Sequence, residues 1–103
     1  MNRLFFLAAL CLALPLHAFD LQGHRGARGL LPENTIPAFQ KALDLGVDTI
    51  ECDMAITKDG VVVIYHDLWL NPDITRGPDG KWLDSRGPAI SELTFAELQK
   101  YDV

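Results

Sequence analysis

The sequence predicts an α/β fold that begins with a strand–helix–strand unit and continues into a β-hairpin. One observation is periodicity: residues 35–45 repeat apolar positions with a helical period, whereas residues 47–56 and 61–65 are typical of strands. Another is composition, because 49% of the 103 residues are hydrophobic and 22% are charged, as in one ordinary globular domain. A strand, a helix and a strand in this order form a βαβ unit, which is expected to be parallel and right-handed.

The charge, the cysteine content and the length exclude several classes of protein. The formal net charge is −5 and no run of Lys or Arg could neutralise a phosphate backbone, so we expect no nucleic-acid partner. Two cysteines cannot build a disulfide framework. A complete barrel of eight strand–helix units needs roughly 250 residues, which this chain does not have.

Residues 1–18 are predicted to be a secretory signal peptide. Arg3 provides a positive start, residues 4–14 form an uncharged apolar run, and Ala18 is a small residue at the expected cleavage point. A transmembrane helix needs about 20 apolar residues, so this run is about half long enough. We therefore expect an exported bacterial protein, periplasmic or secreted, with residues 19–103 as the mature part and no stable membrane anchor after signal cleavage.

The first helix is predicted over residues 35–45. Asn34 or Thr35 can cap its start, and Gly46 can end it. Glu33 and Asn34, which precede the helix, are interpreted as capping residues. In the strand that follows, Cys52 is expected to be a buried, inert thiol.

The hairpin turn is predicted at Asp59-Gly60, because this dipeptide is a strong signal for a two-residue turn. Such a turn places Asp53 opposite His66. Opposite residues in a hairpin point to the same face, and side chains alternate along a strand. Glu51, Asp53 and His66 are therefore predicted to converge on one face.

The rest of the sequence reads as a loop followed by a helix. Residues 68–89 are rich in Pro, Gly and Asp and are predicted to be irregular. Thr94 and Glu97 form a capping box that opens a final helix, which is expected to continue to the neighbourhood of Val103.

Glu51 and Asp53 are candidate ligands of a divalent cation. Two carboxylates that lie side by side inside a fold repel each other unless a cation or a proton lies between them. Oxygen ligands suit Ca²⁺, Mg²⁺ or Mn²⁺ rather than Zn²⁺. The alternative is a solvated acidic face on an edge strand.

His24 and Arg25 are candidate substrate-contacting residues in the loop after the first strand. The loops after the strand ends form the ligand face of parallel α/β folds. Arginine suits phosphate, and histidine can exchange a proton near neutral pH, so His24 and His66 could cleave a phosphate ester by acid–base catalysis. The alternative for Arg25 is an ion pair with Glu33, Glu51 or Asp53. The alternative for His24 is a loop residue that caps a helix end.

Five linked motifs resemble glycerophosphodiester phosphodiesterases, and the match covers about residues 21–103. The motifs are His24-Arg25-Gly26, Pro32-Glu33-Asn34-Thr35 with Ala38-Phe39, Glu51 with Asp53, Thr57-Lys58-Asp59-Gly60, and His66-Asp67. Their order and spacing agree with the family.

The resemblance implies a TIM barrel and a specific assignment of the site. Glu51 and Asp53 would bind the metal ion, Ca²⁺ or Mg²⁺. His24 and His66 would be the acid–base pair, and Arg25 would contact the phosphate. The reaction would be hydrolysis of a glycerophosphodiester, a small-molecule substrate, to an alcohol and glycerol 3-phosphate.

Residues 19–103 are expected to be a truncated N-terminal part of such a barrel, a βαβ unit plus a hairpin. The family supplies a third metal-binding acid and a lysine from later strands, so we expect the 103-residue chain alone to be poorly folded and inactive. Two other interpretations are open: a related barrel phospholipase, phospholipase D-like or phosphoinositide-specific, and a non-catalytic exported fragment. The Pro32-Glu33-Asn34-Thr35 segment favours the glycerophosphodiester phosphodiesterases over the related barrel phospholipases.

Overall fold

The structure is a computed structural model that describes residues 19–103. The predicted signal peptide, residues 1–18, lies outside the described residues. The secondary-structure elements, in chain order, are β1 (Gln22–His24), α1 (Ile36–Asp44), β2 (Thr49–Glu51), β3 (Met54–Ile56), β4 (Val62–Ile64), a 3₁₀-helix (Ile90–Glu92) and α2 (Phe95–Leu98). Within this part of the chain no helix is both long and apolar enough to cross a membrane.

The predicted parallel βαβ unit is confirmed. β1 and β2 pair in parallel, with His24 opposite Glu51 at their carboxyl ends, and α1 connects the two strands. Thr35 caps α1, because its side chain accepts a hydrogen bond from the Ala38 nitrogen at 3.4 Å. Gly46, at a φ of +75°, follows the end of the helix as predicted.

The loop after β1 lies directly against α1, and Gly26 makes this contact possible. Gly26 has a φ of +81°, and a Cβ there would lie 2.7 Å from the main-chain carbon of Ala38. The next residue, Ala27, donates a hydrogen bond to the Ala38 carbonyl at 3.0 Å. A larger residue at position 26 would therefore push the loop, and with it His24 and Arg25, away from the helix.

The single strand predicted over residues 47–56 is wrong, because it is interrupted at Cys52 and Asp53. β2 pairs with β1, whereas β3 pairs with β4 in a separate antiparallel sheet. The Asp53 nitrogen faces the Asn34 side chain at 3.5 Å, so it does not continue the pairing of β2. Cys52 is exposed, and the prediction of a buried thiol is also wrong.

The predicted hairpin register is wrong by one residue. Ala55 pairs with Val63, and the Tyr65 nitrogen donates to the Asp53 carbonyl at 3.1 Å, so Asp53 is opposite Tyr65 and not His66. The reason is the turn: Gly60 has a φ of +83° while Asp59 does not adopt a positive φ. This conformation gives a three-residue loop, whereas the two-residue turn would require a positive φ at both positions.

A small hydrophobic core forms around the residues that follow the hairpin. Tyr65, Leu70 and Ile90 are buried together, under several partly buried apolar side chains. The predicted loop over residues 68–89 is irregular apart from isolated bridges such as the one between Trp69 and Ala89. This segment therefore folds back onto the hairpin and fixes the position of residues around Tyr65.

The final helix is shorter than predicted. The capping box of Thr94 and Glu97 is present, with the Glu97 carboxylate accepting from the Thr94 nitrogen at 2.9 Å. The helix nevertheless ends at Leu98, because Asp102 exchanges two main-chain hydrogen bonds with Arg76, at 2.7 and 3.0 Å. This pairing draws the chain out of the helical path and back towards the irregular segment.

Candidate active site

His24 and Glu51 lie side by side at the carboxyl ends of β1 and β2. The His24 Nε2 atom is 3.8 Å from the Glu51 Oε2 atom, and the Glu51 side chain is 37% exposed. The same Oε2 atom accepts a hydrogen bond from the Arg25 main-chain nitrogen at 2.9 Å. The parallel pairing thus brings two predicted site residues together and fixes one oxygen of the Glu51 carboxylate.

Arg25 is held by two carboxylates. Its Nη1 atom donates to both Glu33 oxygens, at 2.9 and 3.0 Å, and its Nε atom is 3.2 Å from Asp53 Oδ2. The side chain is 12% exposed, and the buried Nε is not aligned for a hydrogen bond with any group in residues 19–103. The ion pair considered for Arg25 from the sequence is therefore present in the structure.

Two residues of the site adopt left-handed backbone conformations that are unusual outside glycine. Arg25 has a φ of 52° and Asn34 a φ of 57°. The Asn34 nitrogen donates to the Arg25 carbonyl at 2.9 Å, which joins the two strained residues. Strained conformations of this kind persist where the surrounding contacts fix them, and they cluster at functional sites.

Asn34 contacts Asp53 instead of capping the helix. Its Nδ2 atom donates to Asp53 Oδ2 at 3.2 Å. Glu33 likewise pairs with Arg25, so the interpretation of both residues as capping residues is wrong, and Thr35 alone caps α1. The ion pair of Arg25 with Glu33 was among the alternatives considered from the sequence, whereas the contact of Asn34 with Asp53 was missed, although the Pro32-Glu33-Asn34-Thr35 motif marked the segment.

His66 forms its own pair with the neighbouring Asp67. Its Nδ1 atom is 2.7 Å from Asp67 Oδ1, and Asp67 Oδ2 accepts from Asn71 Nδ2 at 2.8 Å. Partial burial raises the pKa of Asp67. The hydrogen bonds from His66 and Asn71 and the nearby charge of Arg25 have the larger combined effect, so the pKa lies below its ordinary value. Asp67 and Asn71 were not identified as site residues from the sequence, where the His66-Asp67 motif marked Asp67 and no signal marked Asn71.

His66 lies near the other predicted residues despite the changed register. It lines a small cleft together with Glu33, Asn34 and Tyr65. Glu33 contacts Arg25, and Asn34 contacts Asp53. The structure therefore connects all five predicted site residues: His24 to Glu51, Arg25 to Asp53, and His66 to the segment that holds Arg25 and Asp53.

The two predicted metal ligands have the chemistry that a hard cation requires. Within residues 19–103 the contacts of Glu51 and Asp53 involve Oε2 and Oδ2, so the second oxygen of each carboxylate has no partner there. The Asp53 side chain is 25% exposed and therefore accessible. Oxygen ligands fit Ca²⁺ or Mg²⁺. The described residues contain no group of three or more His, Cys, Asp or Glu side chains able to hold a metal ion.

Comparison with known proteins identifies relatives over most of the chain. A sequence model of the "Glycerophosphoryl diester phosphodiesterase family" matches residues 24–103. A glycerophosphodiester phosphodiesterase of Caldanaerobacter subterraneus subsp. tengcongensis is 38% identical over 79 residues, which is 77% of this chain and 28% of the relative. One from Bacillus subtilis is 46% identical over 79 residues, 77% of this chain and 24% of the relative.

A solved structure also matches. A Silicibacter pomeroyi protein assigned as a glycerophosphoryl diester phosphodiesterase superposes with a TM-score of 0.77 at 42% identity, over 82% of this chain and 28% of that protein. The chain thus spans about a quarter of the length of the relatives it matches. The family implies a TIM-barrel type of fold, of which the described residues contain a parallel strand pair with its helix. On these findings, the chain belongs to the glycerophosphoryl diester phosphodiesterase family.

Proposed function

We propose that the protein hydrolyses glycerophosphodiesters to an alcohol and glycerol 3-phosphate. The observation that carries this proposal is the joint placement of His24 beside Glu51 and of Arg25 beside Asp53, next to the ends of two parallel strands. This edge is where parallel α/β folds bind their ligands. Membership of a family of phosphodiesterases supports the reaction class.

Glu51 and Asp53 would hold the divalent cation, Ca²⁺ or Mg²⁺. The cation, when bound, would offset the charge of the phosphate and of the two carboxylates. Both side chains keep one oxygen free of protein contacts within residues 19–103, which suits this role. Asn34 and the Arg25 main chain hold the other oxygens and so orient the two carboxylates.

His24 and His66 would transfer the protons of the hydrolysis. The oxygen of a water molecule forms a bond to phosphorus while the bond between phosphorus and the alcohol oxygen breaks. One histidine accepts the proton of the water, and the other gives a proton to the leaving alcohol. Arg25, held by Glu33 and Asp53, would contribute positive charge to the phosphate contact.

We further propose that residues 1–18 direct export, so that the reaction takes place in the periplasm or outside the cell. The short apolar run and Ala18 support this location. The only partner that the reaction requires is a small glycerophosphodiester. The acidic balance of the chain argues against a nucleic-acid partner.

The experiment is a substrate comparison with the purified protein in a form that includes the remaining strands of the barrel, which is called the full-length protein from here on. We expect release of glycerol 3-phosphate from glycerophosphocholine in the presence of Ca²⁺ or Mg²⁺, and loss of the reaction with EDTA. Hydrolysis of phospholipid vesicles without hydrolysis of glycerophosphocholine would instead support the related barrel phospholipase. The absence of both reactions would support a non-catalytic protein and contradict the proposal.

A further inference from the structure

A chain of hydrogen bonds runs from His66 into the core formed by Tyr65, Leu70 and Ile90. His66 Nδ1 is 2.7 Å from Asp67 Oδ1, and Asp67 Oδ2 accepts from Asn71 Nδ2 at 2.8 Å. The Asn71 main-chain nitrogen donates to the Tyr65 hydroxyl at 2.9 Å. That hydroxyl lies 3.0 Å from the Thr75 hydroxyl. Four consecutive contacts therefore link an exposed imidazole to a buried hydroxyl pair.

The inner end of this chain is fixed by burial. Tyr65 is 7% exposed and Thr75 is fully buried, and the Tyr65 ring packs in the same cluster as Leu70 and Ile90. A buried hydroxyl that lost its partner would bear the cost of desolvation without compensation. The Tyr65 hydroxyl is thus a fixed acceptor, and it holds the Asn71 main chain, and with it the Asn71 amide, in one place.

The outer end determines which imidazole nitrogen carries the proton. An ionised carboxylate only accepts hydrogen bonds, so the contact with Asp67 requires a proton on His66 Nδ1. In the neutral imidazole the Nε2 atom then has a free lone pair. Asn71 donates a hydrogen bond to the second Asp67 oxygen. This hydrogen bond restricts rotation of the carboxylate and keeps Oδ1 directed at the imidazole ring.

We propose that Asp67 and Asn71 are positioning residues that hold His66 in the tautomer whose Nε2 accepts a proton, and that the Tyr65–Thr75 hydroxyl pair anchors them. The inference rests on the proposed function, because it assigns to His66 the role of the base that activates water. It adds to that function four residues that would act through His66. The lowered pKa of Asp67 is consistent with an ionised carboxylate at neutral pH.

The first test compares variants of the full-length protein in glycerophosphocholine hydrolysis. Asp67→Asn should lower kcat by about 10²-fold or more with little change in KM, because loss of a correctly protonated base affects the chemical step. Asn71→Ala and Tyr65→Phe should each lower kcat by about tenfold. Tyr101→Phe is the matched control, since this tyrosine packs against the same core but its hydroxyl has no hydrogen bond within residues 19–103.

The second test determines the tautomer of His66 without an activity assay. ¹⁵N NMR of the His66 ring should show a proton on Nδ1 in the unmodified protein and a mixture of tautomers in Asp67→Asn. A proton on Nε2 in the unmodified protein, or unchanged kcat and tautomer in Asp67→Asn, would overturn the proposal. A protein that shows the expected tautomers yet does not hydrolyse glycerophosphodiesters would support the positioning and contradict the proposed function.

Discussion

Asn34 holds Asp53 at both its carboxylate and its main chain. The Asn34 Nδ2 atom lies 3.2 Å from Asp53 Oδ2, and the Asp53 nitrogen lies 3.5 Å from Asn34 Oδ1. The Asn34 nitrogen in turn donates to the carbonyl of Arg25 at 2.9 Å. One amide side chain therefore joins the loop before α1 to the break between β2 and β3, where a predicted metal ligand lies.

Removal of this amide should weaken activation by the cation. In the full-length protein, Asn34→Gly keeps the positive φ accessible but loses both hydrogen bonds to Asp53. A hydrogen bond to a charged group contributes about 1.5–3 kcal/mol, so we expect the Ca²⁺ concentration for half-maximal activity to rise by about tenfold or more. Titration of activity and direct calorimetric titration of Ca²⁺ would both measure this change.

Two further variants separate the amide from the backbone. Asn34→Ala should show the same change and also lose stability, because a left-handed conformation costs a residue with a Cβ about 1–2 kcal/mol. Gln40→Ala is the control, since its exposed amide on α1 donates only to Asp44. Unchanged Ca²⁺ dependence of Asn34→Gly would contradict the role of the amide.

The two histidines should both be required for turnover. His24→Ala and His66→Ala are each expected to lower kcat by about 10²–10⁴-fold, the range typical of a general acid or base. Steady-state hydrolysis of glycerophosphocholine measures the effect, and circular dichroism checks that the variants are folded. Near-normal rates in both variants would refute the assignment of an acid–base pair.

Glu51→Gln should weaken cation binding more than it affects folding. The substitution removes one negative charge from the pair of carboxylates, while the amide oxygen can still accept the Arg25 main-chain hydrogen bond. We expect a clear rise in the Kd for Ca²⁺ measured by calorimetry. Glu92→Gln is a suitable control, because this exposed carboxylate contacts Ala89. An equal effect of both variants would argue against a specific ligand at Glu51.

The hairpin turn should become less stable in acid through Asp59. Hydrogen bonds from the Thr57 hydroxyl at 2.6 Å and from the Phe95 nitrogen at 2.9 Å lower the pKa of this carboxyl below its ordinary value of 3.8. Because the pKa is lower in the folded state, the stabilisation is complete above pH 3.8 and is lost as the pH falls through the folded pKa.

Asp59→Asn should remove this part of the acid dependence. Urea unfolding of the full-length protein at about pH 5 and about pH 3 would measure the free energy of unfolding. We expect a smaller difference between the two pH values in the variant than in the unmodified protein. Asp84→Asn is the control, since the Asp84 carboxylate forms no hydrogen bond or ion pair in the described part of the chain. Identical acid dependence in all three proteins would contradict the prediction.

Residues 19–103 expressed alone should neither unfold cooperatively nor hydrolyse substrate. The outer face of the hairpin leaves four apolar side chains exposed, those of Met54, Ile56, Val62 and Ile64. Exposed apolar strands favour aggregation, and the described residues contain no group of three or more His, Cys, Asp or Glu side chains that could hold a cation. Calorimetry and an assay with added Ca²⁺ would test this. A sharp transition with cation-dependent turnover would show that the segment is self-sufficient.

The sequence by itself determined the features that depend on residues close together in the sequence. Thr35 caps α1 and Gly46 follows its end because a side-chain acceptor and a left-handed residue act within one helical turn. The pairing of Thr94 with Glu97 is local in the same way. The parallel pairing of β1 with β2 also follows from local order, since a strand, a helix and a strand have few ways to connect.

Only the tertiary structure decided the contacts that join distant segments. The register of β3 and β4 depends on the φ of Asp59, which is not positive and which the dipeptide Asp59-Gly60 does not determine. Asn34 meets Asp53 across 19 residues, and Arg25 meets Glu51 across 26. The tertiary fold selects these hydrogen-bond partners, because a polar group forms a hydrogen bond only with a group that the fold places within about 3 Å.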